Sequence, residues 1–193
     1  MNAQRRTITK QEINSLPLWR YDGPVVLLED PAQVADAAAR LAAAALIGID
    51  TETRPAFRKG ESYPVALLQM ALPDIVYLLR LNQQGLPDPI RGIMEDAALM
   101  KVGIAPRDDI RELRRDFDCQ PRNVVALDKV CRSRGYKVTS ARKLTALILG
   151  RRISKSQQTS NWAQPVLTPA QIAYAATDAW ICQEIYRHLH PNL

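Results

Sequence analysis

Apolar positions along this 193-residue chain fall into short runs separated by helical patterns. Val25–Leu28 (VVLL) predicts a short strand, and Leu46–Thr51 (LIGIDT) a second whose apolar run ends in carboxylates. Val65–Leu72 (VALLQMAL) and Ile75–Leu81 (IVYLLRL) predict two more, joined through Pro73 and Asp74 by a connection short enough for an antiparallel hairpin. The alanine-rich stretch from Pro31 to Ala45 reads as a helix, with Asp30 as N-cap and Pro31 in the first helical position.

Beyond the hairpin the pattern changes. Pro89–Ala98 reads as helical, Met100–Ile104 (MKVGI) as a strand, and Asp108–Phe117 as a charged helix with apolar Ile110, Leu113 and Phe117. Asn123–Leu127 predicts a last strand before a helix that stops near Gly135. Ser140–Leu149 is a helix with Gly150 just past its end. Thr168 and Gln171 form a capping box with Pro169 at the first turn, opening a final helix that runs to Leu189. Consecutive strands followed by alternating helices and strands imply an α/β protein, a mixed sheet flanked by helices. A purely parallel, doubly wound sheet fits less well, because no helix separates the strands that meet at Pro73 and Asp74. Gly48 and Gly103 stand alone, so no glycine-rich phosphate loop is present.

The length suits one domain. No apolar run reaches the roughly 18 residues of a membrane span, and the start (MNAQRRTITK) lacks the apolar stretch of a secretory signal. Cys119, Cys131 and Cys182 show no metal-ligand spacing, which points to reduced thiols in a cytoplasmic protein. The net charge is +6, and its placement matters more than its size: from Lys129 to Thr177 there is no acidic residue. A one-signed stretch of that length suits a polyanion, since each neutralised phosphate releases a counterion; a solvated basic face without a partner is the alternative.

Three groups of carboxylates carry the chemistry. Asp50 and Glu52 stand at i and i+2 on a strand, so both project from one face. Carboxylates crowded at the end of a buried strand stay ionised at low cost only when a cation joins them. Tyr174 and Asp178, four apart on the final helix, share one face in an otherwise small, apolar setting. Asp108 and Asp109 open the charged helix, where the helix dipole alone accounts for an acidic residue. Asp50, Glu52, one of Asp108 or Asp109, and Asp178 thus offer four carboxylates beside a basic stretch. Such oxygen ligands suit Mg²⁺ or Mn²⁺, and two ions about 4 Å apart favour phosphodiester cleavage.

Asp50-Thr-Glu52, a mid-chain aspartate and Tyr174-Ala-Ala-Thr-Asp178 resemble the three motifs of the DEDD exonucleases, in their tyrosine-bearing (DEDDy) branch. The resemblance spans Val25 to Leu189 and is similar in detail to the exonuclease domain of the Werner syndrome protein. Pro64–Gln69, Lys101–Ile104, Arg115–Asp118, Ser160–Trp162 and Leu167–Asp178 carry it. It implies an RNase H-like (DnaQ-like) fold with a mixed five-stranded sheet, its first three strands antiparallel. The same resemblance implies a 3′→5′ exonuclease domain over residues 21–193, with residues 1–20 as a tail outside it.

The resemblance also implies roles. Asp50, Glu52 and Asp178 would hold one of two Mg²⁺ or Mn²⁺ ions, Asp50 would bridge to the second near Asp109, and Tyr174 would orient the attacking water. The family's second motif has asparagine five residues before its aspartate and an aromatic just before it; Ile104 and Asp108 stand there relative to Asp109. Asp109 is nonetheless the expected residue, because Asp109-Ile-Arg-Glu-Leu113 reproduces the pattern that follows. Candidate nucleic-acid contacts are Thr51, Leu67 and Gln69 near the ligands, Arg54, Phe57, Arg58 and Lys59 on the loop after Glu52, Arg142, Lys143 and Lys155 for phosphates, and Trp162 for base stacking, although burial in the core is the commoner fate of such a tryptophan.

The expected partner is nucleic acid, DNA before RNA, and DNA maintenance is the process such a resemblance suggests. An RNase D-like exoribonuclease shares the three motifs, but those chains usually continue into helical domains, whereas this sequence ends after the final helix. A catalytically inactive nucleic-acid-binding module is a further alternative, against which the complete carboxylate set speaks. A metal hydrolase of small molecules is disfavoured by the acid-free basic stretch.

Overall fold

The computed structural model describes residues 6–58 and 60–191. In chain order they form α1 (Lys10–Ser15), β1 (Val25–Leu28), α2 (Pro31–Ala42), β2 (Leu46–Thr53), β3 (Val65–Ala71) and β4 (Val76–Leu79). Then come α3 (Leu81–Gln84), α4 (Asp88–Glu95), β5 (Met100–Gly103), α5 (Arg107–Phe117), β6 (Val124–Ala126), α6 (Leu127–Ser133), α7 (Ala141–Leu149) and α8 (Pro169–Leu189). The Asp30 side chain accepts from the Gln33 N–H to start α2, and the Thr168–Gln171 capping box starts α8, as the sequence predicts.

The six strands are ordered β1-β4-β3-β2-β5-β6. β2, β3 and β4 are an antiparallel meander, while β5 and β6 continue the sheet in parallel with β2. These five strands match the expected mixed sheet. The sixth, β1, extends it by pairing in parallel with β4. It can do so because β4 would otherwise be an open edge, and an apolar four-residue strand covers it.

Alternation along the strands assigns the two faces. Ile47 and Ile49 of β2 and Leu68 and Met70 of β3 face a core shared with α2, α4 and α5. Leu67 and Ala71 face the opposite way, against Trp162, Ala175, Ala176 and Ala179. That second face also carries Gly48, Asp50 and Glu52, by the same period of two. At Gly48 the helix lies so close that an added Cβ would sit 2.1 Å from the Ala179 carbonyl oxygen. The alanines of α8 and the glycine of β2 therefore bring the helix backbone almost onto the sheet.

Residues ahead of β1 also have a place. α1 has its own capping box, Thr9 with Glu12, and buries Ile13. The Trp19 N–H donates to the Arg152 carbonyl at 2.7 Å, and the Trp19 and Trp180 rings meet edge-on at 4.5 Å. This segment thus lies along α8 and the strand-like turn at Arg152. Residues 1–5 of the expected tail, and Lys59, lie outside the described residues. Cys119, Cys131 and Cys182 are free and buried. Among the described residues no helix is long and apolar enough to cross a membrane.

Candidate active site

β2 delivers Asp50 and Glu52 to the α8 face at its C-terminal end, and α8 delivers Asp178 from its middle. One oxygen from each carboxylate lies within 4.8 Å of the other two. They line a cleft of about 410 Å³ with Tyr174, Lys155 and Cys182. A register shift follows Glu52, so the strand leaves its ladder just past the second carboxylate.

Asp109 enters from the first turn of α5. It accepts a hydrogen bond from the Thr51 hydroxyl, which sits on the strand between Asp50 and Glu52. Asp109 is not one of the three carboxylates within mutual reach, yet its charge is felt at both Asp50 and Glu52. Asp108 points elsewhere: its carboxylate is exposed and pairs with Arg111 at 2.7 Å. Geometry thus separates the two candidates that the sequence leaves adjacent.

The electrostatics are those of a crowded acidic cluster. Burial, then the charges of Asp109, Asp178 and Glu52, hold Asp50 well above the usual carboxylate range. Burial and the charges of Asp178 and Asp109 push Glu52 up to about 9. Burial raises Asp178 to about 7, opposed by a hydrogen bond from Tyr174 and by the charge of Lys155. Asp109 is also raised by burial, against the Thr51 hydrogen bond that lowers it. Tyr174 is raised by burial and by the carboxylates, so its hydroxyl stays protonated. Its ring packs on Trp162 with centroids 5.9 Å apart, which fixes the hydroxyl toward Asp178.

The nucleic-acid candidates divide. Lys155 is exposed on the cleft wall. Phe57, 81 % exposed, and Arg58 line an adjoining groove of about 520 Å³ with Arg54, whose guanidinium lies 4.5 Å from the Tyr63 ring centre. Lys143 is exposed on α7, while Arg142 is half-buried and donates to the Asn14 side chain of α1. Three candidates are buried. Leu67, Gln69 and Trp162 have no exposed surface, because β3 is covered on both faces and Trp162 fills the space under the start of α8.

Sequence reasoning missed the segment that walls the cleft. Ser154 and Gln158 line it beside Lys155, and only the lysine's charge drew attention. The chain from there to α8 is held by polar ties. Buried Arg80 donates to the Gln164 carbonyl at 2.5 Å and to that of Pro165 at 3.3 Å, and the Gln171 amide donates to the Ser160 hydroxyl at 2.9 Å.

A mixed sheet with carboxylates at the end of its middle strand, faced by a carboxylate on a closing helix, defines the class of RNase H-like exonuclease folds. The chain belongs to the 3′-5′ exonuclease family, whose model matches residues 25–193. It is 33 % identical over 138 residues to the exonuclease 3′-5′ domain-containing protein 2 of Drosophila melanogaster, covering 69 % of this chain and 24 % of the fly protein. It is 28 % identical over 187 residues to the bifunctional 3′-5′ exonuclease/ATP-dependent helicase WRN of Mus musculus, covering 91 % of this chain and 13 % of that protein. This chain therefore spans a quarter or less of either relative's length. The fold is shared with the Nibbler EXO domain of Aedes aegypti, at a TM-score of 0.77 and 23 % identity over 90 % of this chain and 91 % of that one. Escherichia coli RNase D shares it at 0.74 and 18 % identity, over 86 % of this chain and 45 % of that one. The family is dependent on divalent metal ions.

Proposed function

We propose that this chain is a metal-dependent 3′→5′ exonuclease that hydrolyses single nucleotides from 3′ ends, of DNA in preference to RNA. The observation that carries the reading is the convergence of Asp50, Glu52 and Asp178 within 4.8 Å, in a chain of the 3′-5′ exonuclease family. Such a cluster fits a hard divalent cation: its donors are all carboxylate oxygens, burial raises the pKa of each, and the neighbouring carboxylates raise Asp50 and Glu52 further, a cost that a cation would relieve. Asp50, Glu52 and Asp178 would hold one Mg²⁺ or Mn²⁺ ion, and Asp50 a second, with Asp109 beside it. When bound, the two ions would lower the pKa of the attacking water and stabilise the leaving oxygen.

The rest belongs to the chain's own groups. Tyr174, protonated and hydrogen-bonded to Asp178, orients the attacking water without acting as its base. Glu52, on the neighbouring strand position, accepts a hydrogen bond from the same water. Thr51 fixes Asp109 through its hydroxyl and presents its backbone to the terminal sugar. Lys155 on the cleft wall meets a phosphate, and Arg58 and Phe57 in the groove beyond Glu52 meet the backbone and a base of the incoming strand, with Lys143, exposed on α7, as a further phosphate contact. The preference for DNA rests on the segments similar to the Werner exonuclease, Pro64–Gln69 and Arg115–Asp118 among them.

The test is a gel assay of 5′-labelled, 3′-recessed duplex DNA beside a matched RNA strand, with Mg²⁺, Mn²⁺ or EDTA and with Asp178→Ala. A metal-dependent ladder from the 3′ end of DNA, absent in the variant, is expected. Shortening of RNA alone would replace the DNA reading with an exoribonuclease. Binding of both strands without cleavage would replace it with an inactive binding module.

A further inference from the structure

Outside the carboxylate cleft, a concave surface gathers three cationic side chains. It encloses about 450 Å³ and is lined by Arg6, Arg132 and Lys137, with Gly135, Tyr136 and Thr139. Thr139 also lines the carboxylate cleft, so the two spaces share a wall.

The concavity is built by the fold. The Lys137 N–H donates to the Arg6 carbonyl at 3.0 Å, pinning the chain ahead of α1 against the connection between α6 and α7. Gly135 ends α6 with a φ of +85°, and the Arg6 guanidinium crosses it so closely that an added Cβ would lie 3.0 Å from its carbon. The left-handed turn favours glycine here, and a larger residue would also make the Arg6 side chain shift. Tyr136 is buried beneath, while Arg132 and Lys137 are exposed. No ion pair among the described residues involves Arg6, Arg132 or Lys137. The surrounding sequence, Lys129 to Thr177, supplies no carboxylate. Like charges around a concave, low-dielectric wall focus a positive potential, which a polyanion relieves with release of counterions.

We infer that this concavity binds a backbone phosphate of the nucleic-acid substrate, upstream of the nucleotide seated in the cleft. The inference rests on the proposed activity for the identity of the polyanion. It adds a contact that neither the carboxylate cluster nor the loop after Glu52 provides, and it makes Arg6 of the N-terminal segment part of the substrate surface. A strand long enough to pass Thr139 reaches the concavity; a dinucleotide confined to the cleft does not.

Fluorescence anisotropy in EDTA, across a potassium chloride series, tests it with a labelled single-stranded dodecamer and the Arg132→Ser/Lys137→Ser double variant. The slope of log affinity against log salt should fall by about 0.7 for each phosphate that the variant no longer neutralises. With Mg²⁺, the KM for dodecamer cleavage should rise while dinucleotide cleavage is unchanged. Gly135→Ala, which displaces Arg6, should weaken dodecamer binding in the same direction by a smaller factor, and unchanged melting of the double variant would show that both sites remain folded. A slope equal to that of the unaltered chain, or equal weakening for dodecamer and dinucleotide, would overturn the inference. If the unaltered chain binds the dodecamer but cleaves neither substrate, the exonuclease reading fails, and the salt slope still decides the phosphate site.

Discussion

Gly48 of β2 and Ala179 of α8 lie in backbone contact: a Cβ on the glycine would fall 2.1 Å from the alanine's carbonyl oxygen. This contact sets how near the helix carrying Asp178 comes to the strand carrying Asp50. A backbone carbonyl cannot rotate away as a side chain can, so Gly48→Ala must push α8 off the sheet. Overpacking of this kind costs about 1–3 kcal/mol. Cleavage should be abolished even at temperatures where the variant remains folded, because Asp178 is carried away from Asp50 and Glu52. Denaturant melts and a nuclease assay on the same preparation check both halves; a folded variant with full activity would show that the spacing does not matter.

Hydrogen bonding favours one member of the second acidic pair for the proposed role. Asp109 is held by the Thr51 hydroxyl beside the cluster, whereas Asp108 is exposed and engaged with Arg111. Asp109→Ala should abolish cleavage, and Asp108→Ala should retain much of it. Thr51→Val should lie between them, lowering activity by releasing Asp109 without removing a carboxylate. Single-turnover rates under saturating Mn²⁺ measure the ranking, and an inverted order would assign the role to Asp108.

Much of this site was legible in the sequence because it depends on local periodicity. Asp50 and Glu52 share a face by the period of a strand, Tyr174 and Asp178 by that of a helix whose start is marked by Thr168 and Gln171. Depth was not legible in the same way. Gln69 stands opposite Asp50 in the sheet and Trp162 lies close before α8, but whether such residues reach solvent depends on what packs over them. Nor does periodicity reveal where α1 docks. Its capping box, Thr9 with Glu12, is visible, while its anchors are tertiary: Arg152 donates to the Leu16 carbonyl at 2.9 Å across 136 residues, and Arg142 donates to Asn14. The extra strand has the same origin, since Val25–Leu28 reads as a strand but its neighbour, β4, is far along the chain.

Tyr174 offers a cleaner separation of chemistry from packing. Burial and nearby carboxylates hold its phenol protonated across the working range, so in the proposed reaction the hydroxyl would orient rather than abstract. Tyr174→Phe keeps the ring packed on Trp162 and removes only the oxygen. The rate should fall by about 100-fold, the scale on which a positioned proton-transfer or orienting group acts, with melting temperature nearly unchanged. The remaining activity should keep the pH profile of the unaltered chain. A basic limb that disappears with the hydroxyl would mean that tyrosine itself titrates in the reaction.

The raised carboxylates make metal-free stability depend on pH in a stated direction. Glu52 stands at about 9 against an ordinary 4.5, and Asp178 at about 7 against 3.8. Between the ordinary and the raised values, the folded chain binds protons that the unfolded chain has released. The stabilising contribution of those protons is complete at acid pH, where both states are protonated, and is lost as pH rises through the raised values. In EDTA the melting temperature should therefore fall from the ordinary carboxylate range up to about 9. Mg²⁺ or Mn²⁺ competes with the same protons, so the cation should raise the melting temperature most at the alkaline end. Asp178→Asn should flatten the slope in EDTA and remove most of the cation's effect. Melting curves over a pH series, with EDTA or Mn²⁺, decide it: a melting temperature in EDTA that rises across this range would show that the cluster is not held as a crowd of uncompensated carboxylates.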